Sequence, residues 1–150
     1  MRNRFKFLFF LSFLLLFLNN CSFRNNEKIT MAEYMKEVVT QNAKFNNSLD
    51  EVLDQVETYN GSQTAQERLN TLIDNSVNII EYLQNDLGSK IPDEASEHYN
   101  SMIKAYILYK EGLELYRKYV PAPLSDERKN NIKVAEDKFE QALQQLKNIK

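Results

Sequence analysis

Residues 30–59, "TMAEYMKEVVTQNAKFNNSLDEVLDQVETY", decide the fold. Met31, Val38, Phe45, Val52 and Tyr59 recur every seven residues, and Met35, Asn42, Leu49 and Val56 form a second row between them. Eight of these nine positions are apolar, and that repeat belongs to helices packed side by side. The stretch therefore predicts a bundle helix over 30–59. Thr30 and Glu33 form a capping box at its start, each satisfying a backbone donor the first turn leaves open. Asn60-Gly61 closes it, glycine tolerating the left-handed conformation of a C-cap. Asn42, the one polar residue in the seam, reads as setting register.

The chain beyond this helix repeats the pattern. Thr64-Ala65-Gln66-Glu67 predicts a second capping box and a helix over 64–87, with Leu69, Leu72, Ile73, Val77, Ile80, Leu83 and Leu87 on its buried face and Gly88 as its stop. Pro92 suits the first turn of a third helix over 92–120, where Asp93, Glu94 and Glu97 complement the dipole. Val120-Pro121-Ala122-Pro123 breaks it, because proline pushes its predecessor out of helical geometry. Ser125 caps a fourth helix over 126–148, striped by Ile132, Ala135, Phe139, Ala142, Leu146 and Ile149. Four helices with short connections imply antiparallel neighbours. The expectation is an all-α, up-down-up-down four-helix bundle over 30–150. The turns at 60–63 and 120–125 would form the tip farthest from the point where the chain enters.

Ahead of the bundle, Arg2, Arg4 and Lys6 precede the apolar run Phe7–Leu18, "FLFFLSFLLLFL". Twelve residues of helix span about 18 Å, short of a hydrocarbon core of about 30 Å. Length and flanks match an export signal over 1–20. The only cysteine, Cys21, follows directly. Leu18-Asn19-Asn20-Cys21 resembles a bacterial lipobox, although Asn19 and Asn20 depart from the small residues usual before the cysteine. The resemblance implies diacylglycerol on the Cys21 sulfur, cleavage before it, and a further acyl chain on the new amino group. The competing reading is an uncleaved signal anchor with an incidental cysteine. Two acyl chains give stable attachment where one does not, and acylation consumes a thiol that an oxidising compartment would threaten. Residues 21–29 read as a tether, holding the domain about 15 Å from the bilayer if they behave as coil.

Charge narrows the function. Of 19 basic residues three precede the apolar run, leaving 16 against 21 acidic ones, a net charge near −5 from Cys21 onward. That balance lacks the clustered Lys and Arg of nucleic-acid binders. One cysteine excludes an internal disulfide or a thiolate cluster. His98 is the single histidine, with Glu94 four residues before it, the wrong spacing for the Glu-x-x-His pair of di-iron bundles. Three glycines supply no phosphate loop. Neither an enzyme nor a cofactor beyond the acyl chains is expected.

The third helix carries two apolar stripes. Ala95, Tyr99, Met102, Ile103, Tyr106, Tyr109, Leu113, Tyr116 and Val120 form its expected core arc. Leu108, Leu115 and Tyr119 fall opposite, interleaved with Ser101, Ala105 and Gly112. Gly112 costs about 1 kcal/mol of helix propensity relative to alanine, so its place in mid-helix asks for a reason. Two readings stand. Either this helix is more enclosed than its neighbours, or Leu108, Gly112, Leu115 and Tyr119 form a surface for an envelope protein or a second copy. Tyr106, Tyr109 and Tyr116 read as packing residues or, alternatively, as the lining of a cleft for a small apolar ligand.

"SMIKAYILYKEGLELYRKYV" and, after the proline break, "AEDKFEQALQQLKNIK" resemble the C-terminal parts of small lipid-anchored helical proteins of low-GC Gram-positive bacteria. The resemblance covers residues 100–150 and the signal. It implies a helical domain held by lipid at the outer face of the cell membrane, and it implies no activity. The reading is a membrane-tethered, non-catalytic binding or accessory module for a protein partner at the envelope; the alternative is a small-ligand sensor or carrier.

Overall fold

The computed structural model describes residues 28–149. The expected signal segment, Cys21 and most of the expected tether lie outside the described residues. Four long helices follow one another: α1 (Met31–Glu57), α2 (Gln63–Glu81), α3 (Ser96–Tyr119) and α4 (Asp126–Lys147). The architecture is an all-α four-helix bundle, with no strand among the described residues.

Caps set the starts. The Thr30 hydroxyl accepts the Glu33 amide, while the Glu33 carboxylate accepts the Thr30 amide at 2.9 Å, completing the expected box. The Thr30 amide, and after it the Thr30 hydroxyl that also donates to the carboxylate, hold the Glu33 carboxyl below its usual pKa. Gly61, with φ 77°, makes the left-handed turn after α1. The second box does not form at Thr64. Ser62 caps α2 instead, accepting the Ala65 amide, so the helix begins one residue earlier than expected. Ser125 caps α4 through the Arg128 amide.

The second helix changes character near its end. Tyr82–Leu87 is a π-turn and Gly88–Lys90 a 3-10 turn, where an unbroken helix to 87 was expected. A π-turn leaves carbonyls displaced from the regular ladder. Here the Tyr99 hydroxyl donates to Leu83 O at 3.1 Å and Gln84 O at 3.0 Å. Gly88 follows the π-turn with φ −55°, in the right-handed region. Its reason is room: a Cβ there would lie 3.0 Å from Tyr99 Cζ and closer still to its oxygen. Pro92 precedes a 3-10 turn, Asp93–Ala95, so α3 proper starts at Ser96.

Cross-helix contacts run in opposite order for successive helices. On α1 and α2, Tyr82 donates to Glu37, Ser48 meets Ser76 and Gln55 reaches Ala65 O. On α2 and α3, Lys110 pairs with Glu81 and Arg117 with Asp74. On α3 and α4, Gly112 lies against Phe139 and Ala135 O, while Lys104 shares a depression with Gln145 and Ile149. The turns at 60–63 and 120–125 thus gather at one end, and Ile29 and Ile149 at the other. Ile29 was assigned to the tether but belongs to the body. Its amide donates to Lys90 O at 2.9 Å, its side chain packs on the core, and Lys28 pairs with Asp93.

Every apolar residue expected on the inner face of α2 is buried. The seam of α1 is rotated from the expected one. Val38, Phe45 and Val52 are buried as read, but the second buried row is Tyr34, Gln41 and Gln55, with Ser48 half-buried between them. Met31 and Met35 stand outside, 38% and 39% exposed. The polar row survives because it is hydrogen-bonded: Gln41 to Glu37 at 2.8 Å and Ser48 to Ser76 at 2.8 Å. Asn42 is half-buried and accepts the Tyr106 hydroxyl, a cross-helix bond that fixes the level of α1 on α3.

Candidate functional site

The third helix lies between the α1/α2 pair and α4, and its two stripes are used in opposite directions. Buried on it are Tyr99, Met102, Tyr106, Tyr109, Leu113 and Tyr116; Tyr106 meets Phe45 of α1, Tyr109 meets both Phe45 and Phe139 of α4, and Tyr116 meets Phe139. Toward α4 it presents Ala105 and Gly112, also buried. A Cβ on Gly112 would lie 2.8 Å from Phe139 Cδ1 and 3.0 Å from Ala135 O. The small residues of the second stripe are therefore there to let α4 approach.

The surface expected over Leu108, Gly112, Leu115 and Tyr119 is accordingly not an open face. Gly112 is sealed under Phe139. Leu108 and Leu115 are half-buried and pack on the core. Tyr119 is half-buried, with the Lys118 ammonium 4.8 Å from its ring centre, and faces the α3–α4 connection. What remains reachable is the edge beside them. A shallow groove of about 500 Å³ has Ile107 and Leu115 among its lining, together with Lys110, Lys118, Lys138, Glu111 and Glu114. Ile107 is 40% exposed. Two of its lysines are engaged: Lys138 pairs with Glu111 across the α3–α4 boundary, and Lys110 with Glu81. Sequence reading missed Ile107, which lies between the two apolar stripes, one turn beyond Ile103.

The cleft expected between Tyr106, Tyr109 and Tyr116 is occupied by other rings. Phe45 from α1 stands 5.0 Å from both Tyr106 and Tyr109, and Phe139 from α4 stands 5.8 Å from Tyr109 and 5.2 Å from Tyr116. These are the edge, tilted and stacked geometries of a packed aromatic core. Burial raises the pKa of all three tyrosines, Tyr116 to about 12, with the nearby Glu136 carboxylate adding to it. The phenols are neutral packing groups at any physiological pH.

His98 is half-buried, and its Nδ1 lies 2.8 Å from the Tyr34 hydroxyl. That contact gives the lone histidine a structural role at the chain-entry end. Among the described residues no group of three His, Cys, Asp or Glu side chains is placed to hold a metal ion. No described helix is long and apolar enough to cross a membrane. No protein-family model, curated protein or solved structure matches the chain.

Proposed function

We propose that the chain is an exported lipoprotein whose helical bundle, held to a membrane through acylated Cys21, serves as a non-catalytic accessory module for a protein partner at the cell envelope. The observation that carries the reading is the order Arg2-Arg4-Lys6, Phe7–Leu18, Cys21, followed directly by a soluble, mildly acidic helical sequence. A short apolar run with a basic front suits export, and a cysteine at its end suits diacylation.

The geometry of the body is compatible with such an attachment. The chain enters through Ile29, at the end shared with Ile149, so a tether from Cys21 leaves the turns at 60–63 and 120–125 farthest from the lipid. A partner would meet the Ile107–Leu115 groove, the reachable remnant of the surface read from sequence. Cys21→Ala tests the attachment. The variant is expected to lose radiolabelled fatty acid and to remain uncleaved, migrating as the longer precursor that keeps residues 1–20. Retention of label by the variant would refute the proposal.

A further inference from the structure

One flank of α1 is both apolar and bare only in the half next to the tether. Met31, Ala32, Met35, Val39 and Ala43 lie within about 120° of arc at 100° per residue, and all five are exposed, Val39 at 63%. No charge interrupts them; Lys36 borders them on the solvent side. Along the same arc farther down the helix stand Asn46, Asp50 and Glu57, also exposed. Leu49 and Leu53, at the angles of Met31 and Met35, are half-buried and packed on the core. The same flank is thus covered or acidic in its distal half and bare and apolar in its proximal half.

We propose that this proximal flank rests on the lipid surface, a reading that depends on acylation at Cys21. The occupant follows from where the chain goes. Six residues separate Cys21 from Lys28, so even fully extended the connection reaches only about 24 Å. Ile29 is clamped to Lys90, which starts α1 at that short distance from the bilayer. Met31 to Val39 is about 12 Å of helix. The flank is therefore within reach of the headgroup region, where an apolar helix face settles without a shaped pocket. The carboxylates of Asp50 and Glu57 disfavour the same contact with an anionic surface farther along, so the bundle leans on its first three turns. It does not lie flat.

The full chain, acylated in a bacterial host, would be reconstituted into vesicles of phosphatidylcholine and phosphatidylglycerol, with brominated lipid as quencher. Acylation leaves no native thiol, so Val39→Cys and, at the opposite end, Leu124→Cys each carry one fluorophore. Both positions are exposed, Leu124 at 82%, which makes misfolding no obstacle. Quenching at position 39 is expected to exceed that at 124 several-fold. Equal quenching, or more at 124, overturns the contact. So does a label at 39 that is shielded from water yet unquenched by bromolipid, which would mean a protein cover. Failure of the chain to float with vesicles refutes the anchor itself; flotation without quenching at 39 refutes the contact alone.

Discussion

Helices α3 and α1 make unequal use of their apolar residues. Both of α3's stripes are covered by the chain itself: Tyr106 and Tyr109 meet Phe45 of α1, while Tyr116 and Gly112 meet Phe139 of α4. On α1 a single seam is covered, half of it by hydrogen-bonded polar residues, while Met31, Met35 and Val39 remain outside. An apolar stripe in a sequence thus marks a surface that needs covering, without saying by what. On α3 the cover is another part of the same molecule. On α1 we assign it to lipid.

The contrast is sharpest in paired substitutions. Leu113→Ala removes a fully buried side chain from α3 and is expected to cost about 3 kcal/mol, read from the urea midpoint. A loss below about 1 kcal/mol would mean that α3 is not the central helix. Gly112→Leu forces a side chain into the space of Phe139 and is expected to cost about 2 kcal/mol by lifting α4. An unchanged midpoint would reopen the second stripe as a free surface.

Alkaline titration probes the tyrosine face as a graded effect. Burial, with a smaller contribution from Tyr99, raises Tyr34 to about 12, and burial with Glu136 does the same for Tyr116, against the ordinary value of 10.0. The unfolded chain therefore releases these protons first. Stability is intact below pH 10 and falls between pH 10 and about 12. Tyr116→Phe should flatten that decline, and a decline unaltered by the substitution would place its cause elsewhere. The smallest effect belongs to α1's bare flank: Val39→Ser is expected to shift stability by no more than about 0.5 kcal/mol. A larger loss would show that the flank is part of the core.

Residue patterns carried most of the fold. The inner face of α2 was legible in full because seven strongly apolar residues at helical spacing leave one way to turn the helix. The first seam was less legible. Apolar count favoured the Met35 row, but Tyr34, Gln41 and Gln55 are buried instead because each finds a partner: His98, Glu37 and Ala65 O. Hydrogen bonding, across helices for Tyr34 and Gln55 and within α1 for Gln41, outweighed hydropathy there, and no periodicity reports it. The π-turn was invisible for a similar reason, since the Tyr99 hydroxyl that serves its carbonyls lies more than a dozen residues away. As for the candidate surface, Leu115 was read from the sequence as one of its residues, whereas the sealing of Gly112 by Phe139 is a contact between two helices that no spacing on α3 reports. A partner and α4 offer the same chemistry to a small-residue stripe.

Intact-mass measurement of the mature chain extracted from membranes tests the tethered reading most directly. The account predicts a polypeptide beginning at Cys21 and heavier than its sequence by a diacylglyceryl group, with or without a further acyl chain. A 150-residue chain with a free thiol would contradict it.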